Sequence, residues 1–150
     1  PKIHNFVSYR VSVAIDRIRR LAGEKNSRLI VALDELEGGL SPKNIYGFIE
    51  AVKDHVVAVK VGLPLVLSVD VSRIQELVRR FTGDFYFLAD FKLSDIPSIV
   101  EKELRLIERT EFDGAIVHLF PMGLEEALGK GVSQLDVYGL VAMSLSLIHI

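Results

Sequence analysis

The stretch FYFLADFKLSDIP, residues 85–97, begins as an apolar run and ends in charged and polar side chains. Its first part does not alternate between apolar and polar residues, which is typical of a strand buried on both faces of a parallel sheet. Asp90 and Lys92 follow two positions apart, and Asp95 lies in the segment after them. The stretch therefore predicts a buried parallel strand with charged groups at its carboxyl end.

Four more apolar runs repeat this pattern along the chain. Strands are predicted to begin near residues 28, 55, 85, 114 and 137. Segments with helical periodicity lie between them at 41–55, 69–81, 94–110 and 123–132, and another at 11–22 precedes the first strand. This alternation predicts parallel βαβ units, in an open doubly wound sheet or a (β/α)8 barrel. The first strand is not followed by the G-x-G-x-x-G turn that would favour the doubly wound sheet.

The composition excludes several classes of function. The chain has 150 residues and a net charge of −2, so nothing indicates nucleic acid or an anionic membrane surface as a partner. It contains no cysteine, which excludes a disulfide framework, a zinc–thiolate site and a cysteine nucleophile. No apolar run approaches the ~20 residues of a membrane span, and the first ten residues do not resemble a secretory signal. We therefore expect a cytoplasmic protein.

Polar side chains recur where the other predicted strands end. Asp34, Lys60 and His118 end the first, second and fourth strands, and the hydroxyl of Ser144 ends the fifth. Functional groups of parallel α/β folds gather at the carboxyl ends of the strands, so we expect these residues to meet in one polar cluster. His118 can equally be a satisfied polar group without a role in binding.

Structural interpretations remain open for the acids of this cluster. Asp34 can cap a turn, and Asp90 and Lys92 share a strand face, where they can form a structural ion pair. Asp95 or Ser94 can be the N-cap of the next helix. Two acids around one lysine are nevertheless more than a single ion pair requires.

Alternating lysines and aspartates keep one another ionised, because each opposite charge favours the charged form of its neighbour. A lysine that stays protonated is a general acid, and an ionised carboxylate repels a carboxylate on a substrate. Together they suit a reaction that loses CO2 and then protonates the carbanion. Stabilisation would come from the fixed charges, without a metal or an organic cofactor.

The segment LADFKLSDIP, residues 88–97, closely resembles the Asp-x-Lys-x-x-Asp signature of the orotidine 5'-phosphate decarboxylase family, which forms UMP in pyrimidine biosynthesis. Four further segments resemble the first, second, fourth and fifth strands of that family. They are IVALD (30–34), VKVGLPL (59–65), DGAIVHLFPMG (113–123) and LVAMS (140–144). The similarity runs from about Arg28 to Ser144, and the sequence of these segments is closest to that of archaeal members.

The resemblance implies a role for each matching residue. Asp34 would hydrogen-bond the ribose of orotidine 5'-phosphate. Lys60 would lie between Asp34 and Asp90 and also reach the ribose. Asp90 would face the carboxylate that leaves, and Lys92 would protonate carbon six of the pyrimidine to give UMP.

The resemblance also implies a homodimer with shared active sites. Asp95 would enter the site of the partner subunit, and Ile96 would accompany it against the ribose or the pyrimidine. Ser144 would hydrogen-bond the pyrimidine ring, whereas His118 receives no firm role. Ile99 stands where family members commonly carry threonine, which leaves one polar contact to the nucleotide in question.

Two alternatives compete with this interpretation. Magnesium-dependent sugar-phosphate decarboxylases and synthases share the fold and the motif. They usually carry an acidic metal ligand where this chain has Lys60, and Ala-Gly where it has Ile96 and Pro97, so the metal-free decarboxylase is favoured. The second alternative is a non-catalytic α/β fragment that binds a phosphorylated ligand or a partner subunit.

The expected fold is α/β, a partial (β/α)8 TIM barrel of the ribulose-phosphate-binding type with about five βα units. We expect an N-terminal extension with a helix at 1–27, an incomplete decarboxylase domain at 28–144 and an atypical, foreign tail at 145–150. Such barrels typically have about 250 residues, with the phosphate site after strands seven and eight. We therefore expect a C-terminally truncated chain that is inactive by itself and self-associates through open sheet edges.

Overall fold

The computed structural model describes residues 11–121, 123–129 and 134–142, in which helices and parallel strands alternate. The elements in chain order are α1 (Val11–Glu24), β1 (Leu29–Ala32), α2 (Pro42–Val52), β2 (Val56–Gly62), α3 (Leu63–Ser68), α4 (Val71–Phe81), β3 (Tyr86–Leu93), α5 (Pro97–Arg109), β4 (Gly114–His118), α6 (Leu124–Gly129) and β5 (Asp136–Leu140). The predicted tail at 145–150 and the first ten residues lie outside the described residues.

The strands form one five-stranded sheet in the order β1-β2-β3-β4-β5, and every neighbouring pair is parallel. A doubly wound sheet reverses its direction of growth at a switch point, whereas this sheet adds each strand beside the previous one. Sequential parallel order is the winding of a (β/α)8 barrel. The prediction of a partial barrel with about five βα units is confirmed.

Two helical details differ from the sequence prediction. Helix α5 begins at Pro97 rather than near residue 94, because Ile96 is extended, with ψ 151°, and proline occupies the first helical turn. Neither Ser94 nor Asp95 is therefore its N-cap, which corrects that reading of both residues. Helix α3, Leu63–Ser68, was not predicted, because LPLVLS is apolar almost throughout and has no polar face.

The sheet separates two apolar layers. On one face Val59, Phe87 and Ala115 pack with α2, α4 and α5 in the larger core. On the opposite face Tyr86 and Leu21 belong to a smaller cluster beneath α1. Successive strand residues point to opposite faces, which is why neighbours such as Tyr86 and Phe87 belong to different layers.

Helix α1 is fixed across the N-terminal ends of the strands by a half-buried lysine that directly follows it. The Lys25 ammonium donates to the carbonyls of Lys53 and Val56 at 2.5 and 2.7 Å, and to the carbonyl of Asp84. It also lies 4.4 Å from the centre of the Phe85 ring. The end of the sheet opposite the predicted polar cluster is therefore closed by structural contacts.

None of the described helices combines the length and the apolar character that crossing a membrane requires.

Among the described residues no strand pairs with the outer edge of β1 or of β5, and we predict that these edges make the 150-residue chain self-associate. Leu29 and Ile30 on β1 are 62% and 54% exposed, and an exposed apolar edge pairs readily with another chain. Light scattering at rising concentration should show assemblies above the monomer mass, and Ile30→Lys should reduce them. A scattering mass that stays at that of the monomer at every concentration would contradict this prediction.

Candidate active site

Asp90 lies at the centre of a three-residue ionic array at the carboxyl ends of β2 and β3. Its Oδ2 accepts a hydrogen bond from the Lys60 ammonium at 2.6 Å, and its Oδ1 accepts one from Lys92 at 2.7 Å. The Asp90 side chain is only 4% exposed, whereas those of Lys60 and Lys92 are 32% and 40% exposed. A buried carboxylate thus holds two ammonium groups that reach towards solvent.

The two lysines determine the charge of Asp90. Burial alone would raise the pKa of its carboxyl, but the hydrogen bonds and charges of Lys60 and Lys92 outweigh burial and lower the pKa below its usual value. The carboxylate is therefore ionised at neutral pH. A charge held at a fixed place in a partly buried site interacts strongly with any group that is brought beside it.

Asp90 and Lys92, which share a face of β3, lie within an irregularity of that strand. Ala89 pairs with Ala115 and Leu93 pairs with Val117, so residues 90–92 lie opposite Ile116 alone. Lys92 adopts a left-handed backbone conformation with φ 48°, which costs a non-glycine residue about 1 kcal/mol or more. Strain of this kind is characteristic of functional sites, where surrounding contacts maintain it.

Phe91, the middle residue of the same irregularity, packs against the larger apolar core on the helical side of the sheet. The Phe91 ring makes an edge-on contact with Phe112, with centroids 6.2 Å apart and planes at 76°. Its neighbours in chain order, Asp90 and Lys92, meet each other on the other side. The bulge therefore has an apolar anchor and a charged face.

Asp34 follows β1 and lies against the end of β2. The Leu33 N–H donates to the Lys60 carbonyl at 2.8 Å, so the parallel pairing continues past the last residue of β1. A Cβ placed on Gly62 would lie 1.9 Å from the Asp34 Oδ1, which shows that this carboxylate occupies the space above Gly62. Gly62 itself is the register partner of Asp90. The carboxylates of Asp34 and Asp90 therefore flank one glycine at the carboxyl end of the sheet.

Among the described residues Lys60 of β2 donates a hydrogen bond to only one of these two carboxylates. Lys60 bonds Asp90, while within the described ranges the exposed carboxylate of Asp34 has no hydrogen-bond partner. An exposed acceptor without a partner is free to bind the hydroxyl of a ligand.

Asp95 and Ile96 lie on the loop between β3 and α5, outside the ionic array. The Asp95 Oδ1 accepts a hydrogen bond from the Ile96 N–H at 2.6 Å, and both residues are exposed. Ile96 exposes 62% of its surface. These two side chains point to solvent, where a second molecule can reach them.

His118 ends β4 and is half-buried, with its ring 5.0 Å from that of Phe120. It borders a small cleft together with Asp95, Pro97 and Val100. Ser144 lies outside the described residues. The structure thus brings together Lys60, Asp90 and Lys92, with Asp34 beside them and Asp95 at the rim.

The donor set does not suit a divalent cation. Within residues 11–121, 123–129 and 134–142 there is no group of three or more His, Cys, Asp or Glu side chains that could hold a metal ion. Both oxygens of Asp90 are already bonded to ammonium groups, which would repel a second cation.

Gly62 is a site residue that the sequence interpretation missed. The signal was present, since VKVG places a glycine directly at the end of a buried strand, where glycine often marks a close approach. What approaches it, the carboxylate of Asp34, depends on the pairing of β1 with β2 and is visible only in three dimensions.

We predict that Asp90→Asn changes the acid dependence of stability. Because the folded-state pKa of Asp90 is lowered, its ionised form stabilises the fold above the unfolded pKa of about 3.9 and loses this effect as the pH falls through the folded pKa. The variant should be less stable by about 1–3 kcal/mol at neutral pH. This difference should shrink as the pH falls below about 4.

Urea unfolding of dilute protein at several pH values measures this difference. The exposed Asp54, changed to Asn, is the matched control and should leave the acid dependence unaltered. A difference between wild type and Asp90→Asn that stays constant down to pH 2 would show that Asp90 is not stabilised by its lysines.

Comparison with protein families gives a match over most of the chain. Residues 27–146 match the model of the family described as Orotidine 5'-phosphate decarboxylase / HUMPS family. The curated orotidine 5'-phosphate decarboxylase of Methanocaldococcus jannaschii is 40% identical over 93 residues, which are 62% of this chain and 40% of that enzyme. The corresponding enzyme of Pyrococcus horikoshii is 35% identical over 92 residues, 61% of this chain and 41% of that enzyme.

Solved structures agree with the sequence matches. The crystal structure of the Pyrococcus horikoshii decarboxylase superposes with a TM-score of 0.61 at 25% identity, covering 77% of this chain and 52% of that one. The Methanocaldococcus jannaschii structure gives a TM-score of 0.57 at 32% identity, covering 74% of this chain and 53% of that one. The chain spans about 40% of the length of these curated relatives.

Proposed function

Since this chain belongs to the Orotidine 5'-phosphate decarboxylase / HUMPS family, we propose that it carries the proton-delivering part of an orotidine 5'-phosphate decarboxylase active site. The substrate is orotidine 5'-phosphate, and the products are UMP and CO2. The observation that carries the proposal is the bonding of both Asp90 oxygens to lysine ammonium groups at the strand ends. The absence of cysteine fits a reaction in the cytoplasm.

Asp90 and Lys92 divide the chemistry between them. The ionised Asp90 faces the substrate carboxylate and repels it, and this repulsion falls when CO2 leaves. The C–C bond to the carboxylate breaks, and its electron pair stays on carbon six of the pyrimidine. The protonated Lys92 then donates a proton to that carbon and regains one from solvent. The hydrogen bond to Asp90 holds the Lys92 ammonium in place before the bond breaks, as a positioned general acid requires.

The remaining residues bind and orient the nucleotide. Asp34, whose carboxylate is exposed, accepts a hydrogen bond from a ribose hydroxyl, and Lys60 reaches the same sugar while it holds Asp90. Ser144 bonds the pyrimidine ring. Such remote contacts raise the rate when they hold the reacting carbon in place between Asp90 and Lys92.

Two subunits complete each site in this proposal. Asp95 and Ile96 of one subunit enter the site of the other in a homodimer. Their exposure at the rim supports this role, because neither side chain is used by the array of its own chain.

Magnesium-dependent sugar-phosphate chemistry is not favoured. The family description includes a second branch of enzymes, and the related sugar-phosphate enzymes that bind magnesium usually carry an acidic metal ligand in the second strand. Here that place holds Lys60, which bonds Asp90 at 2.6 Å. The proposed reaction therefore proceeds through the lysine and carboxylate groups, with no cofactor.

Growth without uracil tests the proposal in cells. Because the chain spans 40% of the Methanocaldococcus jannaschii enzyme, residues 1–144 are joined to the part of that enzyme that follows the residue equivalent to Ser144. We call this the hybrid chain. It should support growth of a bacterium that lacks its own decarboxylase on medium without uracil. Failure of a folded hybrid chain to do so would count against the proposed function.

A further inference from the structure

Gly62 lies where two acidic side chains approach each other from neighbouring strands. Gly62 is the last residue of β2, and its register partner on β3 is Asp90. On its other side the pairing of β1 continues through the bond from the Leu33 N–H to the Lys60 carbonyl, which places Asp34 beside it. Asp34, Gly62 and Asp90 therefore lie side by side at the ends of β1, β2 and β3, with the glycine between the two carboxylates.

The backbone of Gly62 does not itself require glycine. Its φ is −93° and its ψ is 170°, an extended conformation that any residue adopts. The requirement is one of space. An added Cβ would lie 1.9 Å from the Asp34 Oδ1 and 3.0 Å from the Asp34 Cγ, whereas the next atom, the Pro64 Cδ, is at 3.3 Å. The carboxylate of Asp34 is thus the group that a side chain at position 62 would displace.

We propose that Gly62 is a positioning residue for Asp34. The missing side chain leaves a pocket in which the Asp34 carboxylate rests, next to the array of Lys60, Asp90 and Lys92. With alanine at this position Asp34 swings away, because it is exposed and within the described chain no hydrogen bond holds it. Since the displaced group is the end of an exposed side chain rather than core, Gly62→Ala should alter the site with little loss of stability.

The first test uses the 150-residue chain and does not depend on the proposed reaction. In Gly62→Ala the carboxyl carbon of Asp34 should change its NMR chemical shift, while that of Asp90 stays close to its wild-type value. The melting temperature should fall by no more than about 3 °C, the effect of a perturbation of less than 1 kcal/mol in a domain of this size. An unchanged Asp34 resonance would overturn the proposal.

The second test rests on the proposed function and uses the hybrid chain. If Asp34 binds the ribose, Gly62→Ala should lower kcat/KM for orotidine 5'-phosphate by about tenfold to a hundredfold, the effect of losing a hydrogen bond to a charged group. Asp34→Ala should give the same loss. The double variant should be no worse than Asp34→Ala, because the second change acts only through the first.

Losses that add up in the double variant would show that Gly62 acts independently of Asp34 and would overturn the proposal. Gly47→Ala is the matched control, since a Cβ at Gly47 on α2 meets no atom within 4 Å; it should leave kcat/KM unchanged. If the unmodified hybrid chain forms no UMP, the proposed function fails, and the NMR experiment still decides the role of Gly62.

Discussion

Lys92→Ala is expected to lower kcat of the hybrid chain for orotidine 5'-phosphate by about a thousandfold or more. A positioned general acid contributes about 10²–10⁴ in rate. In the proposed site Lys92 is the group that protonates carbon six, so its loss removes the whole of this contribution. The change also leaves Asp90 with a single ammonium partner, which weakens the array that opposes the substrate carboxylate.

The rate is measured as UMP formed per site at saturating substrate. Lys43→Ala changes an exposed lysine on α2 and serves as the matched control, which should retain wild-type kcat. Thermal unfolding separates loss of function from loss of fold, because Lys92 is 40% exposed and alanine meets the same left-handed φ of 48° as lysine does, so little stability should be lost. A Lys92→Ala enzyme that keeps a tenth of the wild-type kcat would show that another group delivers the proton.

The second large effect is expected from mixing two inactive variants. If Asp95 acts in the partner's site, Lys92→Ala and Asp95→Ala hybrid chains should each be nearly inactive alone. A mixed dimer of the two has one site that carries both lesions and one that carries neither. Random reassortment makes half of the dimers mixed, so activity should return to about one quarter of the wild-type value.

Activity after denaturation and joint refolding of equal amounts measures this recovery. The control pair is Lys92→Ala with Asp90→Ala, whose lesions lie in the same chain's array, at 2.7 Å from each other. Every site of that mixed dimer carries one lesion, so no recovery is expected. An Asp95 mixture that stays inactive would place Asp95 in the site of its own subunit or outside the reaction.

The strands could be predicted from the sequence because burial on both faces leaves a local signal. Each predicted start lies within one residue of the start of β1 to β5. The charged ends of the strands were equally visible, since Lys60, Asp90 and Lys92 interrupt apolar runs. Parallel winding then brings these ends together without any further information.

Features that depend on neighbouring strands could not be predicted in the same way. The two extra residues of β3 opposite Ile116 follow from its pairing with β4, and the contact of Asp34 with Gly62 follows from the register of β1 and β2. The start of α5 was placed too early because Ser94 and Asp95 are good capping residues, whereas Pro97 sets the first turn. In these cases the pairing of distant strands and the fixed φ of proline determined the structure, and the local preferences of single residues did not.

The most direct measurement is the formation of UMP and CO2 from orotidine 5'-phosphate by the purified hybrid chain, with and without a chelator of divalent cations. We expect equal amounts of both products, at a rate that the chelator does not change. No UMP from a folded hybrid chain would contradict this expectation. So would UMP formation that stops with the chelator and returns with magnesium, because a site built on Lys60, Asp90 and Lys92 has no place for the metal.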